Sequence, residues 1–116
     1  MTKKIVVTGI GATSPIGGTV ADSWSALLAG KSGAHTLDND WAEKYQIPVN
    51  FAAPALVPGT DALERTEAKR LDPSAQFALI AAREAMNDSG VTDVDPERLG
   101  VDWATGIGGL WTLLDA

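Results

Sequence analysis

Asp72-Pro73 and Gly90 bracket the stretch that most constrains this chain. An aspartate caps a helix through its side chain. A proline directly after it places its fixed φ and missing N–H where a helix tolerates both. The spacing predicts a helix over 73–89, stopped by Gly90, because a residue without a Cβ suits the left-handed position past a helix end. Its interior is rich in alanine around Phe77, Ile80 and Ala81, with Arg83, Glu84, Asn87 and Asp88 toward its end. Alanine keeps the helix backbone close to whatever lies against it, so deep packing is expected here.

Two apolar runs look like the strands such a helix covers. Ile5-Val6-Val7 is β-branched and uninterrupted, the pattern of a strand buried on both faces. In Val101-Asp102-Trp103-Ala104-Thr105-Gly106-Ile107-Gly108-Gly109 an apolar run breaks into a glycine-rich turn, and Leu110, Trp111, Leu113 and Leu114 begin a helix. A strand, a turn and a helix start in that order put backbone N–H groups at a strand's carboxyl end, where α/β proteins keep their sites.

Between these runs, Thr19 is placed to cap a helix with Asp22 three residues on. Val20, Trp24, Leu27 and Leu28 fall on one face of it, and Gly30 stops it. Residues 31–40 read as a polar loop and 41–45 as a short helical turn. A weaker strand follows over 47–53, interrupted by Pro48, then an irregular connector over 54–59. A charged helix is predicted over 60–71, and 91–99 is a loop carrying Asp95-Pro96.

The order β-α-(β)-α-α-β-α is that of an α/β protein. Two or three strands cannot make a parallel sheet covered on both faces, and the last helix carries no stop signal. Residues 1–116 are therefore expected to be the N-terminal segment of a larger domain. Large open apolar patches and a tendency to associate follow from that expectation.

Composition narrows the function. The chain has 116 residues, 45% of them hydrophobic, and a net charge of −6. Its pI is near 4.5. Nucleic acid and anionic membranes are poor partners for such a charge. With no cysteine there is no disulfide, thiolate metal site or cysteine nucleophile in these residues. No apolar run approaches the ~20 residues of a membrane span. Met1-Thr2-Lys3-Lys4 leads straight into a short β-like run, without the longer apolar core of a secretory signal, so a cytoplasmic location is expected. No metal or cofactor site is expected.

The short motifs favour structural roles. Gly9-x-Gly11-x-x-Ser14 imitates a dinucleotide fingerprint but lacks the third glycine and the later acidic residue. Ser25-x-x-x-x-Gly30-Lys31-Ser32 imitates a P-loop, yet it ends a helix, whereas a phosphate cradle must precede one. Asp38-Asn39-Asp40 lacks the other ligands of a calcium loop. Asn87-Asp88-Ser89 is a formal glycosylation acceptor on a chain without a secretory signal. His35 stands alone in a predicted loop and reads as solvated. No base, nucleophile and orienter come together. Arg65 and Lys69 share a helix face, with Arg70 adjacent. They are either solvated charges paired with Glu64 and Glu67 or a docking patch for an acidic partner.

In sequence order, several segments resemble the opening of a type II β-ketoacyl-[acyl-carrier-protein] synthase. They are Ile5-Val6-Val7-Thr8-Gly9-Ile10-Gly11, Ser14-Pro15-Ile16-Gly17, Trp24-x-x-Leu27-Leu28-Ala29-Gly30-Lys31-Ser32-Gly33, Glu67-x-x-Arg70-Leu71-Asp72, the helix from Gln76 to Gly90, and Thr105-Gly106-Ile107-Gly108-Gly109-Leu110. The resemblance spans nearly the whole chain and is weakest between His35 and Thr60. It implies a thiolase-like fold, two similar halves layered α-β-α-β-α, in a homodimer.

The implied activity is that of an acyltransferase of fatty acid elongation without a cofactor. It condenses malonyl carrier protein with an acyl chain held on the enzyme as a thioester and releases carbon dioxide. That chemistry uses a cysteine nucleophile at a helix start and two histidines. None of the three positions is present, and His35 matches neither histidine. They are expected beyond Ala116, and these residues alone are expected to be inactive.

By position, Gly106 and Ile107 match the family's turn beside the acyl pocket. Lys69 and Arg70, with Arg65, match the basic patch that receives acyl carrier protein. Thr66 stands where a basic residue is common, and Asp102 and Trp103 are more polar and bulkier than the small apolar residues of the family. Alternatives are a polyketide ketosynthase or its non-condensing chain-length partner and, in another class, a small nucleotide-binding α/β module.

Overall fold

The computed structural model describes residues 2–38 and 40–114. Its elements run α1 (Val20–Leu28), β1 (His35–Thr36), α2 (Trp41–Lys44), β2 (Phe51–Ala52), α3 (Gly59–Ala62), α4 (Arg65–Ala68), α5 (Pro73–Ser89), a 3₁₀ turn (Pro96–Arg98) and α6 (Leu110–Leu114). This is a mixed α/β arrangement, a small unclosed sheet flanked by helices, consistent with part of a thiolase-like domain. Asn39 of the acidic triplet and the chain end at Ala116 lie outside the described residues.

The capped helices form where their signals stand. Asp72 accepts from Ser74 N at 3.1 Å to start α5, and Gly90 ends it at φ +63°. Thr19 Oγ1 accepts from Asp22 N at 3.1 Å and donates to Asp22 Oδ2 at 2.9 Å, so the cap of α1 is reciprocal. Gly30, past the end of α1, has φ +66°.

The predicted 60–71 helix is broken. Leu63 and Glu64 are extended, with ψ of 156° and 142°. The break coincides with burial of Leu63, and the Glu64 carbonyl restarts the helix by accepting from Glu67 N and Ala68 N.

The strands depart further from expectation. Residues 5–7 belong to no strand, and Ile5 is 97% exposed where burial on both faces is predicted. Val101 is 90% exposed, and 101–105 joins no ladder either. An apolar run becomes a strand only by exchanging backbone hydrogen bonds with a neighbour, and no described segment pairs with these two. The ladder that does form is antiparallel, β1 to β2, with His35 opposite Ala52 and Thr36 opposite Phe51. His35 is thus a strand residue, not a loop residue, though an exposed one.

Helix α5 receives the N-terminal segment by close approach. A Cβ on Gly9 would run into the Ala85 carbonyl oxygen, and one on Gly11 into that of Ala81. Hydrogen bonds fix the register. Asp88 Oδ2 accepts from Ile10 N at 2.9 Å. Glu84 accepts from Ala12 N at 2.9 Å and, through its other oxygen, from Val20 N at 2.9 Å. The deep packing expected of the alanine-rich helix is present on this face, where Ala81 is buried.

Elsewhere the chain is open. Its accessible surface is 9594 Å², against about 6,000 Å² for a folded monomer of this mass. The radius of gyration is 17.5 Å, against about 13 Å for a compact domain of this length. Trp24, Leu27 and Leu28 on α1, the stripe predicted to face a core, are all exposed. The open apolar patches expected from the sequence are therefore present. No helix among the described residues is long and apolar enough to cross a membrane.

Substitution of Gly11 by alanine forces its Cβ into the α5 backbone. It is expected to cost about 1–3 kcal/mol and to speed amide exchange at Ile10 and Ala12. Unchanged exchange at both amides would show that the approach is not required.

Candidate functional site

Arg65 opens α4, and Lys69 is its C-cap, its N–H donating to the Arg65 carbonyl at 3.2 Å. One helical turn thus stacks the two side chains on one face, with Arg70 next to them. All three are exposed. Glu67, on the same turn, is committed elsewhere. Glu67 takes a two-pronged contact from Arg83 of α5, Nη1 to Oε2 at 2.9 Å and Nη2 to Oε1 at 2.6 Å. Among the described residues no ion pair joins Arg65, Lys69 or Arg70 to a carboxylate.

The glycine turn meets the start of α5 at Asp72. Thr105 Oγ1 accepts from Gly108 N at 2.9 Å, and Gly108 sits at φ +76°, a conformation that favours glycine. The Gly109 carbonyl accepts from Leu113 N at 3.1 Å as α6 begins. Asp72 Oδ2 accepts from both Thr112 N and Thr112 Oγ1 at 3.1 Å. Those bonds, the Thr112 N–H foremost, then those from Ser74, hold the Asp72 carboxyl below the ordinary aspartate value. Trp111 packs against Trp41, ring centroids 6.1 Å apart and tilted 37°.

Beside the turn, an apolar groove of about 390 Å³ runs between α5 and residues 101–105. Ala75, Ala78, Leu79 and Ala82 form its floor, and Val101 and Trp103 its far wall. Trp103, bulky for its position, borders this groove and a second one lined by Gly11, Phe77 and Ala81. Gly106 and Ile107 do not line the groove, and the Ile107 side chain is 73% exposed.

The nucleotide alternative meets carboxylates at its glycine turn. A phosphate at Gly9-x-Gly11 would need free N–H groups, but those of Ile10, Ala12 and Val20 are bonded to carboxylates that would also repel an anion. At the P-loop look-alike, Gly30 N and Lys31 N donate to Leu27 and Ala26 carbonyls at the end of α1. Among the described residues no three His, Asp or Glu side chains form a metal-holding group. His35 Nδ1 lies 3.2 Å from the Gly33 carbonyl, and His35 is exposed.

Sequence reasoning missed the carboxylates of Glu84, Asp88 and Asp72 as receivers of distant N–H groups. The signal available was Glu84 and Asp88 spaced i, i+4 on a helix whose neighbouring positions are largely small.

The profile of the β-ketoacyl synthase N-terminal domain matches residues 2–115. The chain belongs to the β-ketoacyl synthase family. Curated relatives agree. The 3-oxoacyl-[acyl-carrier-protein] synthase 2 of Coxiella burnetii is 38% identical over 116 residues, 93% of this chain and 26% of its own length. Its counterpart in Synechocystis is 38% identical over 97% of this chain and 27% of its own length. That of Vibrio cholerae is 37% identical over 93% and 26%. This β-ketoacyl synthase segment thus spans about a quarter of the length of these relatives.

The Glu67 carboxyl is held below the ordinary glutamate value, first by its hydrogen bond from Arg83 and then by that charge. A carboxyl lowered on folding adds stability above its unfolded pKa, and that stability is lost as pH falls through the folded value. The α4–α5 contact is therefore expected to hold at neutral pH and loosen only in acid. Carbon NMR titration of Glu67 should give a midpoint below about 4.3, returning toward it in Arg83→Gln. An unchanged midpoint would remove the pair's role.

Proposed function

We propose that this chain is the N-terminal part of a 3-oxoacyl-[acyl-carrier-protein] synthase of the type II kind, and that it supplies the enzyme's carrier-docking surface. The enzyme would carry out the decarboxylative condensation of malonyl carrier protein with an acyl thioester in fatty acid elongation, as a cytoplasmic homodimer. Identity of 37–38% to synthases of that printed name, sustained over 93–97% of the chain, carries the reading. These 116 residues contain no cysteine, so the thioester nucleophile is not among them. Their contribution would be recognition and the shape of the acyl site.

Docking is supported by the charges on α4. Arg65, Lys69 and Arg70 are three exposed cations without ion pairs among the described residues, on a chain of net charge −6. A local cationic surface on an acidic chain selects an acidic partner and speeds encounter, while the remaining surface repels it. Acyl carrier protein fits that charge. Gly106 and Ile107 are assigned to the wall of the acyl site, with the exposed Ile107 side chain available to a fatty chain.

Three outcomes check the reading. Purified bacterial acyl carrier protein is expected to bind the chain in a salt-dependent way, and Lys69→Glu with Arg70→Glu to weaken it at least about tenfold. Binding that ignores both salt and charge reversal would overturn the docking assignment. In a complete synthase carrying this segment, Ile107→Phe should shorten the longest acyl chain accepted. An unchanged chain-length profile would remove Ile107 from the pocket. ATP or NAD binding to the chain at micromolar concentration would favour the nucleotide module instead.

A further inference from the structure

The basic residues of α4 and the glycine turn are separate in sequence, and one side chain stands between them in space. Asp72 follows Arg70 by two residues. Its Oδ1 accepts from Ser74 N at 3.1 Å and Ser74 Oγ at 3.0 Å, holding the first turn of α5. Its Oδ2 accepts from Thr112 N and Oγ1, forty residues away, holding the first turn of α6. A Cβ on Gly109 would lie 3.5 Å from Cβ, Cγ and Oδ2 of Asp72, ordinary contact, so the glycine turn is seated on this side chain.

The α4 side is equally firm. Gln76, 6% exposed, donates from Nε2 to the carbonyls of Ala68 and Leu71, both at 2.9 Å. Those carbonyls flank Lys69 and Arg70. Gln76 N donates in turn to the Asp72 carbonyl at 2.9 Å. A continuous set of hydrogen bonds thus runs from the backbone on either side of Lys69 and Arg70, through Gln76 and Asp72, to Thr112.

We infer that Asp72 is a positioning residue that couples occupancy of the Arg65, Lys69 and Arg70 surface to the conformation of the glycine turn 105–109. The inference rests on the carrier-docking reading above. A helix cap needs one carboxylate oxygen, and here Oδ1 serves it. The second oxygen is spent on a different element, so the two elements share one rigid group. An acidic partner that shifts the α4 end shifts the Asp72 backbone. Because charge-assisted hydrogen bonds are short and directional, Thr112 and the turn must follow or release. Coupling of this kind requires that the shared group have different contacts in the docked and free states.

The experiment uses the ¹⁵N-labelled 116-residue chain titrated with purified bacterial acyl carrier protein, reading the amides of 65–70 and of Gly108, Gly109 and Thr112. Asp72→Ser keeps a good cap for α5 but is too short to reach Thr112. In the unaltered chain both groups of amides are expected to shift with one midpoint. In Asp72→Ser, residues 65–70 should still shift with affinity changed by less than about twofold, while the turn amides stay still. Without carrier, exchange at Thr112 N–H should rise about tenfold in the variant.

Turn amides that respond equally in Asp72→Ser, or that fail to respond in the unaltered chain while 65–70 do, overturn the coupling. No shift at either group overturns the docking reading and the coupling with it, and the carrier-free exchange at Thr112 separates that case from loss of the clamp. Should Asp72→Ser reduce helix content, Thr112→Val decides instead. It leaves the cap untouched and removes one of the two bonds. A turn response reduced by at least about half supports the coupling, and an unreduced one overturns it.

Discussion

The carboxylate of Glu84 accepts from Ala12 N with one oxygen and from Val20 N with the other, each at 2.9 Å. That single group closes the N-terminal turn at both ends and begins α1, and Asp88 one turn further on takes Ile10 N. The bonds are possible only because Gly9 and Gly11 bring the backbone against α5, where any Cβ would meet carbonyl oxygens. Ionised carboxylates make stronger acceptors than neutral groups, so they hold a segment that has no ladder to hold it. Glycine and acid together let one helix do the work of a missing sheet neighbour.

The same helix serves the functional surface from its other end. Asp72 caps it and reaches Thr112, Gln76 secures the end of α4, and Arg83 holds Glu67. Among the described residues no ion pair compensates Arg65, Lys69 or Arg70. Membership of the β-ketoacyl synthase family gives this arrangement a context, since 3-oxoacyl-[acyl-carrier-protein] synthase 2 relatives are 37–38% identical over 93–97% of the chain.

The chain is also open. A monomer of this mass would hide about 3,600 Å² more than this one does, an area on the scale of obligate interfaces. The exposed groups are the ones a sheet and its covering layers use, Ile5, Val6 and Val7 at one end and Val101 and Trp103 at the other. The alanine stripe of α5 is equally short of neighbours beyond residues 101–105, which leaves the groove between them as space rather than core.

Local chemistry was readable from the residues alone. Asp72-Pro73 and Thr19 with Asp22 start helices, and Gly30 and Gly90 end them, because capping involves groups only a few residues apart. The ordered motifs likewise carried the family, and the cluster of Arg65, Lys69 and Arg70 was visible as a helical spacing. Tertiary structure alone decided which apolar runs become strands, since a ladder depends on a partner and not on β-branched side chains. It also decided whether the cations are neutralised, and which distant N–H groups the carboxylates of Asp72, Glu84 and Asp88 accept from. Those contacts span from 40 to 78 residues, and no local pattern encodes which distant N–H a carboxylate will meet.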